Sequence, residues 1–235
     1  ACESMQAQNV QTIYLHAGSN LFYFTGTHWG SSERMVGALL FPNGELHYIA
    51  PRFEKGTVLD FMKIEGKVNC WEEHESPYQL FIQILKDNGV ADGDILMDET
   101  TPFFISDGIL KASIEYTLSN ANPIISGCRM IKSKAEIALM QRASDVTIEA
   151  YKAAFATIRP GMSQSEFSSN ISGAFRKLGF TGGASVQVGK YSALPHGSIT
   201  PQTIKEGDVV MVDGGTSCEG YASDITRTIV VGKPT

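Results

Sequence analysis

The chain has 235 residues, 43% hydrophobic and 19% charged, with a formal net charge of −6. That length suits one large domain or two smaller ones. The acidic balance argues against nucleic acid as a partner, because phosphate binding needs a basic face, and no run approaches the roughly 20 apolar residues of a membrane helix.

The chain opens on Ala1-Cys2-Glu3, without an initiator Met, in a stretch that reads as a helix already under way. At the far end a strand pattern stops at Lys233-Pro234-Thr235, so both ends read as cuts in a longer protein. Between them, "QTIYLHA", "LFYFTG", "MVGALLF", "LHYIA", "KVNCW" and "DILMD" are short, β-branched or aromatic, and bounded by Gly, Pro or Asn, which predicts strands. Asn43-Gly44 is a hairpin signal joining the third and fourth of these. Leu80, Ile84 and Leu85 recur at helical spacing before Gly89. The first half therefore reads as an α/β (α+β) domain with a mixed sheet.

A change comes near Gly127, which predicts domains over 1–127 and 128–235. Ser133-Lys-Ala-Glu136 has the form of a capping box. Ile137, Met140, Ser144, Ile148, Tyr151, Phe155 and Ile158 then share one helical face, until Pro160-Gly161 breaks it. Ser163-Gln-Ser-Glu166 reads as a second capping box, and Gly179 as the end of the helix it opens. Cys2, Cys70, Cys128 and Cys218 are far apart and form no CxxC pair. Buried free thiols in a reducing, cytoplasmic setting fit them better than disulfides or a thiolate zinc site.

The segment "DVVMVDGGTSCEGYASDITRTIVV" predicts two strands around a turn. With the turn centred between Cys218 and Glu219, Asp213 falls directly opposite Asp224, about 5 Å away between Cβ atoms. Their apolar flanks imply low solvent access, where like charges repel and a divalent cation, or two sharing a bridging carboxylate, relieves the repulsion. Spacing alone also allows a hairpin whose aspartates cap turns or pair with Arg227. His196, in the loop "ALPHGSIT", is either a solvated loop histidine or a proton-handling group near neutral pH. Trp29 reads as ordinary packing, with a pocket or interface aromatic as the alternative.

Taken together, "PHGSIT…IKEGDVVMVDGGTSCEGYASDITRT" resembles the pita-bread metallopeptidases, in the branch of Xaa-Pro aminopeptidases and prolidases. "RMIKSKAEIALMQRAS" is similar to the opening of that family's catalytic domain, and "GSNLFYFTG" to its creatinase-like amino-terminal domain. The resemblance implies a creatinase-like mixed-sheet domain followed by the first half of a pita-bread domain. It implies Asp213 and Asp224 as metal ligands, the latter bridging, and His196 as the catalytic, substrate-contacting histidine. It further implies two divalent ions, manganese first with cobalt or zinc as alternatives, that activate a water to hydrolyse the bond before proline in peptides or dipeptides. A homodimer or higher homo-oligomer is implied, with neither nucleic acid nor membrane as a partner. The family completes its site with a histidine and two glutamates, expected beyond Thr235, so residues 1–235 by themselves are expected to be inactive. Creatinase-type or ectoine-derivative amidohydrolases and catalytically dead binding modules share the fold and are the alternatives.

Overall fold

The computed structural model describes residues 1–233, leaving Pro234 and Thr235, where the last strand pattern stops, outside the described residues. The chain divides into two compact units, Ala1–Ile131 and Lys132–Thr235.

The first unit is built on six strands: β1 (Ile13–His16), β2 (Gly37–Leu40), β3 (Leu46–Pro51), β4 (Lys67–Trp71), β5 (Gly93–Met97) and β6 (Tyr116–Asn120). Their order is β4-β3-β2-β1-β5-β6. β2 runs antiparallel to β1 and β3, and the other neighbours are parallel, so the sheet is mixed. Alternation sends successive side chains to opposite faces. Tyr14, Leu39 and Ile49 join one core with helices α4 (Pro77–Asp87) and α5 (Phe103–Ala112). Ile13, Leu15, Ala38, Leu40 and Tyr48 join the other, with α1 (Cys2–Ala7), α2 (Ser19–Thr25), α3 (Lys55–Phe61) and α6 (Asn122–Arg129). Both faces are covered, which is why β1 to β3 are buried at every residue. The expected hairpin forms at Asn43-Gly44, where Gly44 takes φ 89° and Asn43 Oδ1 accepts the Glu45 N–H at 3.0 Å.

One predicted strand is a helix. "LFYFTG" folds as α2, with Leu21 and Thr25 buried one turn apart and Gly26 closing it at φ 69°. The aromatic run has strand propensity, but burial four residues apart outweighs it. Trp29 packs against the second core and meets Phe61 edge-on at 5.9 Å, which is a packing role.

The second unit lays α7 (Lys134–Phe155) and α8 (Gln164–Lys177) on one face of an antiparallel sheet. Its strands are β7 (Gly182–Val188), β8 (Val209–Cys218), β9 (Tyr221–Ala222) and β10 (Ile225–Val230), in the order β10-β8-β7 with β9 on β8. The Ser133/Glu136 capping box is present. The second box is only half formed: Ser163 caps α8, but the Glu166 carboxylate pairs with Arg159 at 2.8 Å. The buried stripe of α7 also differs from the expected one. It runs through Ala143, Val146, Thr147, Ala150, Tyr151 and Ala154, while Ile137 and Met140 are exposed. A helix lying flat on a sheet comes closest through small side chains, which a count of large apolar residues overlooks. Among the described residues no helix is long and apolar enough to cross a membrane.

Candidate functional site

The sheet of the second unit has two unlike faces. Val186, Val188, Val210 and Val212 point into the core under α7 and α8. Alternation therefore turns Ser185, Gln187, Asp213, Thr226 and Thr228 to the other side. Ser185, Asp213 and Thr226 form one row across three strands.

The hairpin turn is Glu219-Gly220, at φ 49° and 83°, with Cys218 facing Tyr221. Two central residues at positive φ give the turn whose twist suits a hairpin, and Gly adopts that φ freely where Cys218 would not. The turn is thus centred one residue later than the sequence suggested, and Asp213 faces Thr226 rather than Asp224. The register holds through the gap between β9 and β10, where Ser223 N donates to Thr216 O at 2.9 Å. Moving a turn by one residue shifts partners by two, which is the side-chain period. Asp213 and Asp224 accordingly share a face as diagonal neighbours, with backbones about 7–8 Å apart.

The segment around Asp224 is tightly held. A Cβ built on Gly215 would overlap the Ser223 carbonyl oxygen and lie 2.7 Å from Ser223 Oγ, so only glycine lets the backbone of Ser223 pass. Ser223 Oγ accepts from Thr216 N at 3.1 Å and lies 2.7 Å from Thr147 Oγ1 on α7. Tyr151 Oη donates to Ile225 O at 3.0 Å, and Tyr221 Oη to Glu136 Oε1 at 2.8 Å. Burial pushes the Tyr151 phenol up to about 12, with the carboxylates of Asp213 and Asp224 adding to the rise.

The carboxylates themselves are more open than their flanks implied: Asp213 is half-buried and Asp224 exposed. The edge position of β10 and, among the described residues, the packing of both α7 and α8 on the opposite face explain the difference. Asp213 Oδ1 accepts the Thr226 hydroxyl. Among the described residues Asp224 accepts no hydrogen bond, and neither aspartate forms an ion pair. Arg227 donates instead to the Thr226 carbonyl at 2.8 Å. Two unpaired hard oxygen donors on one face suit a divalent cation such as manganese or magnesium. They are a partial set, since no group of three potential ligands occurs among the described residues.

His196 is exposed in a turn that Gly197 closes at φ 71°, its N–H donating to Leu194 O at 2.9 Å. The loop beyond is pinned to β7. Ser198 N donates to Gln187 Oε1 at 3.0 Å, Gln202 Nε2 donates to the same oxygen at 2.9 Å, and Val188 N donates to Gln202 Oε1 at 2.6 Å. Gln187 points to the face that carries Asp213, so the loop bearing His196 folds over that face and buries Gln187. The hydroxyls of Thr147, Ser223 and Thr226 and the close pass at Gly215 did not emerge from the sequence. Their signal was present in the "DGG" and "SDIT" spacing, but it becomes readable only with the register known.

A family model for the creatinase/prolidase N-terminal domain matches residues 1–131, and one for metallopeptidase family M24 matches residues 138–235. The Xaa-Pro dipeptidase of Pyrococcus furiosus is 26% identical over 98% of this chain and 63% of its own length. Among solved structures, a dipeptidase of Pyrococcus horikoshii superposes with a TM-score of 0.86 at 27% identity, over 100% of this chain and 65% of that one. A prolidase of Thermococcus sibiricus gives the same TM-score of 0.86 at 30% identity, over 100% and 64%. The chain spans 52–63% of the length of three of the curated relatives it matches.

Proposed function

The chain belongs to metallopeptidase family M24, in its prolidase branch, and on that premise we propose that it serves the metal-dependent hydrolysis of Xaa-Pro bonds, in dipeptides or at the amino terminus of peptides. The observation that carries the reading is the pair of unpaired carboxylates, Asp213 and Asp224, on the open face of the second unit. We assign them as two ligands of a divalent-metal centre, manganese first, completed by further ligands. Domains over 1–127 and 128–235 divide the labour on this reading, the second carrying the centre.

Divalent ions held by Asp213 and Asp224 with further ligands would supply a nucleophile from water at neutral pH and would polarise the scissile carbonyl. Asp213 is oriented by the Thr226 hydroxyl, which occupies one lone pair of Oδ1 and leaves Oδ2 for a cation. His196 is the proton-handling residue on this reading: its loop covers the same face and can present the ring to a carbonyl there. A proline after the scissile bond gives a tertiary amide with no N–H, so its recognition rests on ring shape. The four cysteines form no disulfide, which suits a reducing compartment such as the cytoplasm.

The test is hydrolysis of Xaa-Pro dipeptides and Xaa-Pro-Xaa tripeptides by the metal-depleted full-length protein, with and without added Mn2+. We expect cleavage that appears with Mn2+, is removed by a chelator and requires proline after the scissile bond. Equal cleavage with chelator present, or no preference for proline, would overturn the assignment.

A further inference from the structure

Residues 221, 223 and 225 alternate with Ala222, Asp224 and Thr226, and each of the former is tied to α7. Tyr221 reaches Glu136 in the first turn of the helix, Ser223 meets Thr147, and the Ile225 carbonyl takes the Tyr151 hydroxyl. Thr147 and Tyr151 are four residues apart, so they rise from one face of the helix. Thr147 is fully buried and Tyr151 is 2% exposed, while Ser223 and Ile225 are half-buried, so both bonds are partly shielded from bulk water.

The hydroxyls also join into one cluster. Thr216 N donates to Ser223 Oγ at 3.1 Å, and Thr147 Oγ1 donates to Ala143 O at 3.0 Å. Ser223 Oγ also donates to Thr216 O at 3.2 Å, and either hydroxyl can donate across the 2.7 Å between Ser223 and Thr147, so the pair links the β8 backbone to α7. Asp224 lies in the short gap between β9 and β10, where ladder hydrogen bonds do not hold it. Its backbone is positioned instead by what holds Ser223 and Ile225 on either side.

We propose that α7 is a positioning clamp for Asp224, in which the Thr147 and Tyr151 hydroxyls fix the residues on either side and so aim the carboxylate at the face it shares with Asp213. The proposal rests on the reading of Asp213 and Asp224 as metal ligands. Thr147 and Tyr151 touch neither metal nor substrate. They are positioning residues, and their effect is on how well the carboxylate is preorganised.

The experiment measures Mn2+ binding to the metal-depleted full-length protein by titration calorimetry, with the melting temperature of the metal-free form recorded beside it. Thr147→Val keeps shape and removes one hydroxyl, Tyr151→Phe removes the other, and Thr147→Ser restores the first. Ile171→Val, in the α8 core, is a control for general loss of stability. We expect each hydroxyl deletion to weaken Mn2+ binding by about tenfold, the scale typical of groups that orient a metal ligand. Thr147→Ser should recover most of the loss, and Ile171→Val should lower the melting temperature with affinity intact. Two deletion variants keep the test alive should either fail to fold. Wild-type Mn2+ affinity in Thr147→Val and Tyr151→Phe, with affinity lost in Asp224→Asn, overturns the clamp and leaves the metal reading standing. Wild-type affinity in Asp224→Asn overturns both. A fall in affinity for Ile171→Val in step with its melting temperature also overturns the clamp, because general loosening then accounts for the effect.

Discussion

Replacing Gly215 by alanine isolates the closest approach in the second unit. The new Cβ would overlap the carbonyl oxygen of Ser223, a backbone atom with no rotamer to yield. Forcing an extra carbon into a packed site costs about 1–3 kcal/mol. Alanine returns about 0.5–1 kcal/mol of that, because the unfolded chain has less freedom to lose. Because the overlap is with backbone, the upper part of that range applies, ~2–3 kcal/mol, so the net loss is about 1–2.5 kcal/mol, and at ~4–8 °C per kcal/mol for a unit of this size the melting transition of the second unit falls by about 4–20 °C. Gly173 is the matched control: it sits inside α8, and its Cβ would meet only Arg176 Nη2 at 3.8 Å. Alanine there should stabilise by about 0.5–1 kcal/mol through helix propensity. The assay is calorimetric melting of both variants beside the wild type, without metal. A Gly215→Ala protein that melts at or above the wild-type temperature would refute the reasoning, since it would mean the β9–β10 segment moves aside without cost.

Three further outcomes are expected. His47 is 4% exposed with neither ring nitrogen hydrogen-bonded, and burial followed by the Lys67 charge lowers its pKa, with Glu45 and Asp87 opposing. The folded state then binds fewer protons than the unfolded chain, so stability is present above about pH 6.5 and lost as pH falls through the lower folded value. His47→Leu should flatten this acid limb in urea titrations from pH 7.5 to 5, and an unchanged limb would shift the cause to His16, whose pKa burial also lowers. In the full-length protein, Asp224→Asn should abolish metal-dependent hydrolysis while leaving the metal-free stability within about 0.5 kcal/mol of wild type, as for an exposed side chain; retained turnover would remove Asp224 from the centre. His196→Ala should cut turnover severely with bound manganese unchanged by elemental analysis, and loss of the metal would instead make His196 a ligand.

Much of this protein is legible in its sequence. Strand alternation and the Asn43-Gly44 signal identify the mixed sheet, Ser133 and Glu136 mark the start of α7, and the "DGG…SDITRT" spacing carries the family. These are local properties, set by propensity, capping and turn chemistry within a few residues. The parity of Asp213 and Asp224 was also legible, because a common face survives any register shift of two. The rest depended on contacts distant in sequence. Whether Asp213 faces Asp224 or Thr226 was decided by which residues at the turn tolerate positive φ and by the close pass of Ser223 over Gly215. Which stripe of α7 is buried was decided by how near the helix lies to the sheet, which selects Ala143, Thr147 and Ala150 over Ile137 and Met140. "LFYFTG" became a helix because Leu21 and Thr25 share a buried side there. Local sequence states what each segment can form, and the tertiary structure selects the face and partner because burial and backbone approach are properties of the packed chain.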